Sequence, residues 1–351
     1  MKIQNDLPGW LHRCNCPAFS VKENIITACN QSAQALLISP GTDVRELLLT
    51  GAEEYAAFSG GCLYLKLKLS SKGYGSSVTK EGDLDLFLLD LEPEDADLRS
   101  LALAARELRS PLSNLMIAAD ALSHGMKEDS DLQEQLARLN RSLHQMHRLV
   151  NNMSDAGRSD LLSPSGIHDW NRIVHDIFEK ISTQMDGTNI CLTYEGLPQP
   201  VFGLVNVEQI ERAVLNIVSN AIKFMPEGGA IHGQLTQKNN MLQLRIQDTG
   251  SGIAENVLGN VFNRYQRQPG IEDSRYGIGL GMVLIRSAAA DHGGTVLIDR
   301  PENEGTRVTM TMALRQDSAV LKTPVVSPIV DCSRQMLTEL SDILPWEFYK
   351  K

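Results

Sequence analysis

Two runs of apolar residues that step by three and four, separated by a short polar break, constrain this chain more than any other feature. Leu101, Ala105, Leu108, Leu112, Leu115, Ala119 and Leu122 form the first run; Leu132, Leu136, Leu139, Leu143, Met146, Val150 and Met153 form the second. Such steps bring a side chain back to one helix face every 3.5 residues, so each run predicts a long helix with a continuous apolar seam. Gly125 and the acidic turn Lys127 to Asp131 interrupt the pattern, which predicts an antiparallel hairpin over about residues 93 to 160. One hairpin cannot hide the seam from water, whereas two copies packed as a four-helix bundle can. A homodimer through residues 95 to 157 is therefore expected. The alternative, a hairpin packed on its own N-terminal region, leaves the regular heptad unexplained.

The segments on either side have other periodicities. Over residues 1 to 92, Ile25 to Ala28, Cys62 to Leu69 and the run around Leu84, Leu86 and Leu88 read as strands. Helical patterns around Ala33 to Leu37 and Val44 to Leu48 lie between them, with Gly60, Gly61, Gly73 and Gly75 as turn signals. The expectation is a small α+β unit. Residues 316 to 351 start with a link containing Pro324 and Pro328. They end in Met336, Leu337, Leu340, Ile343 and Leu344, followed by Trp346, Phe348 and Tyr349, a tail expected to dock on the chain's own body.

The chemistry concentrates in residues 161 to 315. Ile210, Val214, Ile217, Val218, Ala221 and Ile222 define the buried face of a helix, while Asn216, Asn220 and Lys223 recur along another stripe of it. Amide oxygens suit Mg²⁺ and an ammonium suits phosphate, so this stripe reads as a wall for a metal-bound polyphosphate. Leu242, Leu244 and Ile246 alternate on one face of a strand, and Asp248 continues that face inward. A carboxylate aimed at a core is costly unless it meets a donor. The turn Asp248-Thr249-Gly250-Ser251-Gly252 follows, and Gly277-Ile278-Gly279-Leu280-Gly281 opens another helical pattern, whose N-terminus is a natural anion site. A Walker-type phosphate loop is absent from the sequence.

Bulk properties narrow the partners. A net charge of −10 opposes non-specific binding to nucleic acid or anionic lipid. No apolar stretch reaches the roughly 18 residues a membrane span needs, and the N-terminal MKIQNDLPGW carries no signal-peptide pattern. A cytoplasmic protein is expected. Six dispersed cysteines, including the Cys14 and Cys16 pair, fit reduced thiols better than disulfides or a zinc site.

The order of these features resembles the ATP-binding domain shared by histidine kinases, type II topoisomerases, heat-shock 90 chaperones and MutL proteins. The N-box corresponds to Leu215 to Phe224, the G1-box to Asp248 to Gly252 and the G2-box to Gly277 to Gly281. A candidate F-box is Val261 to Tyr265, and His292-Gly293-Gly294 and Gly305-Thr306 fit the histidine-kinase version. The resemblance implies an α+β multidomain chain with a Bergerat-type α/β sandwich that binds ATP and Mg²⁺. It assigns Asp248 to the adenine amino group, with Thr306 beside it, Asn220 and Asn216 to Mg²⁺, and Lys223 to phosphate. Gly250 and Gly252 would let backbone approach the nucleotide, and Gly277, Gly279 and Gly281 would hinge a lid over the phosphates, with Asn256 to Tyr276 as its mobile part. The segment from Pro17 to Leu37 also resembles the opening of a PAS sensory domain, in which a hairpin leads through an Asn to a short helix.

Arg106-Glu107-Leu108-Arg109-Ser110-Pro111-Leu112 resembles the histidine-kinase H-box at every position but the first, where the family carries its phosphoaccepting histidine. A neutral imidazole offers a lone pair to the γ-phosphate of ATP, with the neighbouring acid, here Glu107, as its base. A guanidinium stays protonated and its nitrogens only donate. Autophosphorylation at Arg106 is therefore excluded chemically. The resemblance implies a sensor-histidine-kinase-like protein of two-component signalling, with a response regulator or a partner histidine kinase as its partner. Three roles remain open: a kinase using His124, His144 or His147 or acting in trans, an ATP-binding scaffold, or a serine kinase of the anti-sigma-factor type, which usually lacks such a hairpin.

Overall fold

The computed structural model describes residues 16–70, 72–90, 95–125, 130–156, 166–253, 261–262, 281–301, 305–315 and 332–350. Alternating apolar residues build an N-terminal hairpin, β1 (Ala18–Lys22) and β2 (Ile25–Cys29), which turns through Glu23 and Asn24, both at positive φ. Asn30 then starts α1 (Gln31–Ala35): its Oδ1 accepts from the Ala33 amide at 2.9 Å and from the Ala18 amide at 3.0 Å. One side chain thus caps the helix and ties it to the hairpin. A short helix, α2 (Ala52–Ala56), and strands β3 (Cys62–Leu69), β4 (Lys72–Glu81) and β5 (Leu84–Leu89) complete this region. Its core centres on Phe19 stacked on Phe87, with Tyr55 against the ring edge.

One sequence expectation fails here. Gly73 and Gly75 lie inside β4, not in a turn. A Cβ on Gly75 would stand 1.9 Å from the Tyr64 hydroxyl, so this glycine makes room for a cross-strand ring.

The hairpin consists of α3 (Asp95–Gly125), which continues through Pro111, and α4 (Ser130–Ala156). Within it the heptad seam divides in two. Ala105, Leu112 and Ala119 are buried with Leu143 and Val150, which holds the two helices together. Leu108, Leu115 and Leu122 on α3, and Leu132, Leu139 and Met146 on α4, remain exposed.

The C-terminal half runs β6 (Gly166–Asp169), α5 (Trp170–Met185), β7 (Ile190–Glu195), β8 (Phe202–Val205), α6 (Val207–Lys223), β9 (Gly229–Lys238), β10 (Met241–Asp248), α7 (Gly281–Asp291), β11 (Val296–Asp299) and β12 (Arg307–Ala313). Strands β6 and β8 form a separate ladder. All other strands belong to one sheet in the order β2-β1-β5-β4-β3-β11-β12-β10-β9-β7, antiparallel except for the β7–β9 pair. The N-terminal region therefore continues into the C-terminal half where β3 pairs with β11, from Val296↔Tyr64 to Ile298↔Cys62. Arg286 of α7 reinforces this seam by donating to Asp90 at 2.5 Å and to the Phe262 carbonyl at 3.1 Å.

Helices α5, α6 and α7 pack on the C-terminal half of the sheet around Trp170, Ile181, Ile210, Val214, Leu244 and Met310. Burying each aliphatic side chain contributes about 1.5 to 3 kcal/mol relative to exposure. The tail docks on the chain itself: α8 (Cys332–Glu339) and a 3-10 turn (Trp346–Tyr349) lie against α4, and α8 also contacts α6. Among the described residues no helix is long and apolar enough to cross a membrane.

Candidate functional site

Strand β10 delivers the central carboxylate. Leu242, Leu244 and Ile246 face the core in alternation, and the same parity turns Asp248 inward at the strand's end, where it is 6% exposed. Its Oδ1 accepts from the Gly250 amide at 2.8 Å and from the Thr306 amide at 3.0 Å. Burial pushes its carboxyl above the ordinary range, while these amide bonds pull the other way. The result is a fixed, buried acceptor. Gly305 is essential to the arrangement: at φ +88° its position is left-handed, and a Cβ there would lie 1.9 Å from the Asp248 carbonyl.

Helix α6 supplies the second wall. Asn206 caps its start by accepting from the Gln209 amide, and its own amide donates to His292 Nε2 at 3.1 Å. Because Nε2 accepts there, the His292 proton sits on Nδ1 and is donated to the Ala288 carbonyl at 2.7 Å. Burial lowers the pKa of this imidazole, consistent with that neutral form. Asn216, Asn220 and Lys223 follow along the helix as expected, with Asn216 buried and the other two half-buried. A Cβ on Gly281, the first residue of α7, would come within 3.0 Å of Asn216 Oδ1 and 3.9 Å of Asn220 Nδ2. The last glycine of the G2-box thus lies against the amide ridge of the N-box.

Two features of this wall were not anticipated. Arg148 of α4 donates to Asn216 Oδ1 at 3.2 Å, and Asn216 Nδ2 donates to the Arg212 carbonyl at 2.8 Å, so both ends of this amide are engaged. Lys223 Nζ donates to Asp342 of the tail at 3.0 Å, and burial lowers its pKa. Asp342 and Glu339 look in the sequence like solvated tail residues. Their signal lies elsewhere, in the polar stripe Arg141, His144, Arg148 and Asn152 along α4, which a solvent-facing helix side does not require.

Arg106 and Glu107 are exposed, one step beyond the buried Ala105. Arg109, one turn later, donates to Asn151 of α4. His144 is buried, with Nδ1 2.7 Å from the Thr338 hydroxyl and its ring against Tyr349. Gly277, Gly279, most of the expected lid from Asn256 to Tyr276, and Asn263 to Tyr265 of the F-box lie outside the described residues, as do Cys14, Pro324, Pro328 and the side chain of His124. Phe262 is described and fully buried, 5.4 Å from the Tyr64 ring of the N-terminal region.

A buried carboxylate held by backbone amides, beside an amide-and-lysine ridge and a glycine approach, suits an adenine nucleotide. Asn220 is the more open of the two amides.

Residues 98–161 match the His Kinase A (phospho-acceptor) domain, and residues 205–316 match the histidine kinase-, DNA gyrase B- and HSP90-like ATPase domain. The histidine protein kinase DivJ of Caulobacter vibrioides is 30% identical over 259 residues, 70% of this chain and 42% of that protein. The sensor histidine kinase WalK of Bacillus subtilis is 26% identical over 228 residues, 62% and 36% of the two chains. The adaptive-response sensory kinase SasA of Synechocystis is 28% identical over 265 residues, 70% and 68%. This chain thus spans less than half the length of DivJ and WalK, and about two thirds of SasA. The full-length crystal structure of ShkA in complex with AMPPNP shares the fold, with a TM-score of 0.50 and 20% identity over 62% of this chain and 47% of that one. With a His Kinase A match leading into this ATPase match, and with histidine kinases among its relatives, the chain belongs to the histidine kinase family.

Proposed function

We propose that this chain is a cytoplasmic, dimeric, ATP·Mg²⁺-binding member of two-component signalling that does not phosphorylate its own H-box position. Arg106 carries that reading. It stands, exposed, where the resemblance places the phosphoacceptor, and a guanidinium has no lone pair to offer. Bound ATP would supply a transferable γ-phosphoryl group. Asp248 would accept a hydrogen bond from adenine, with Thr306 fixing the carboxylate; Asn220, with Asn216 once released from Arg148, would face the metal, and Lys223 would face the phosphates. Gly250, Gly252 and Gly281, with Gly277 and Gly279, would admit backbone close to the nucleotide. The AMPPNP bound in the ShkA crystal structure supports the nucleotide class.

Dimerisation rests on the exposed half of the heptad, Leu108, Leu115 and Leu122 beside Leu132, Leu139 and Met146, a stripe that a second hairpin would cover. The boundaries 1–92, 93–160, 161–315 and 316–351 serve as working divisions. The PAS-like reading of the first rests on the β1–β2 hairpin leading through Asn30 into α1. Such a dimer would engage a response regulator or a partner kinase through the hairpin, with Glu107 and Ser110 on the docking face.

Incubation with γ-labelled ATP tests the central point. The wild-type chain should acquire no acid-labile label, whereas Arg106→His should acquire it. Acid-labile label on the wild type would overturn the proposal.

A further inference from the structure

The tail that docks between α4 and α6 combines buried apolar side chains with a cluster of charges. Met336, Leu340, Leu344 and Tyr349 are buried in the same core as α6. Around them, Arg141 donates to the Ser341 and Asp342 carbonyls at 3.1 and 3.2 Å, and Gln145 donates to the Ser341 carbonyl at 3.2 Å. The acidic side chains go deeper. Asp342 Oδ2 accepts from Arg148 Nη1 at 2.7 Å and from Lys223 Nζ at 3.0 Å. Glu339 lies 3.5 Å from Arg148 Nε and 3.4 Å from Arg212 Nε, with its side chain 2% exposed.

Arg148, buried, and Lys223 and Arg212, half-buried, thus converge from two parts of the chain on two carboxylates of a third. Without an anion the cluster repels itself and remains desolvated, which is costly. Lys223 belongs to the ridge read above as the phosphate wall, and Arg148 also holds Asn216. The oxygen of Asp342 therefore stands where two cations already present the geometry a phosphate oxygen takes: one lysine and one arginine on the same atom.

We infer that Arg148, Lys223 and Arg212 form an anion site shared by the hairpin and the ATPase fold, whose ligand is a nucleotide phosphate and whose resident intramolecular competitor is the Asp342 and Glu339 pair of the tail. The inference rests on the ATP-binding reading proposed above. It adds that tail docking and triphosphate binding exclude one another. While docked, the tail also fastens α4 to α6, so nucleotide entry would release the hairpin from the ATPase fold.

Two measurements on the full chain test this. Calorimetry with magnesium and AMPPNP compares the wild type, Asp342→Asn and the double variant Glu339→Gln/Asp342→Asn. Amide hydrogen exchange of residues 336 to 344 in the wild type is followed with and without AMPPNP. We expect Asp342→Asn to bind at least about tenfold more tightly, the double variant more tightly still, and exchange in the tail to quicken when nucleotide saturates the wild type. Equal affinity in all three chains, with the tail equally protected at saturation, would overturn the inference and leave nucleotide binding intact. No heat from any of the three would remove the ATP-binding reading itself, and this inference with it.

Discussion

Replacing Asp90 by alanine should loosen the joint between the N-terminal strands and the ATPase half. Arg286 is 5% exposed and reaches Asp90 Oδ2 at 2.5 Å; the Tyr64 hydroxyl donates to the same oxygen at 2.8 Å, and the guanidinium lies 4.9 Å from the Tyr64 ring centroid. Removing one member of a buried ion pair costs about 3 to 5 kcal/mol, because the other charge stays desolvated. Here the Phe262 carbonyl and the Tyr64 ring remain as partners, and the Asp90 side chain is 18% exposed, which reduces the expected loss to about 2 to 4 kcal/mol. The direct pairing of β3 with β11 is short, from Cys62 to Tyr64, so it cannot compensate fully. Urea unfolding of Asp90→Ala, Arg286→Met and the double variant gives the coupling. We expect about 2 kcal/mol, together with a single transition that splits in two as the halves unfold separately. A coupling below about 0.5 kcal/mol would show that Asp90 and Arg286 do not hold the joint, since residues in contact should exceed that value.

Further outcomes follow from other parts of the molecule. Leu108→Glu, at a position 49% exposed, should leave the fold's stability within about 0.5 kcal/mol while converting the proposed dimer to single chains in sedimentation; a dimer mass unchanged by the substitution would place the interface elsewhere. Gly305→Ala should both lower stability by at least about 2 kcal/mol and weaken nucleotide binding, because the left-handed backbone and the clash with the Asp248 carbonyl coincide. A variant as stable as wild type would contradict that. Asp248 has a folded-state pKa raised above 3.8 by burial, so its charge costs stability at neutral pH and that cost is recovered as pH falls through the folded value. Nucleotide binding needs the charged acceptor and should be lost on acidification at a pH above 3.8. Insensitivity of binding to pH down to that point would show that Asp248 is not the acceptor.

How much of this was readable beforehand depended on how local the signal was. The seam residues of α3 and α4, the alternation that turns Asp248 inward, and the ridge from Asn216 to Lys223 all arise from spacing within one element, and each element formed where that spacing placed it. Pairings between distant strands leave no such mark. The period-two pattern of Cys62 to Leu69 announces a strand but not that its partner is β11. Gly75 reads as a turn in the sequence because the reason for it, the Tyr64 hydroxyl, comes from the neighbouring strand. The contacts of Arg148 with Asp342 and Asn216 join residues 194 and 68 positions apart, and charged side chains on a helix read as solvated until their partners are known.

Whether Asp248 and the α6 ridge hold an adenine nucleotide decides the function proposed for this chain. Calorimetric titration of the full chain with magnesium and AMPPNP, repeated on Asp248→Asn, measures that. Saturable binding is predicted, weakened about a hundredfold when an amide replaces the buried acceptor. Identical affinity in the two chains, or no heat even after Asp342 is neutralised, would contradict it.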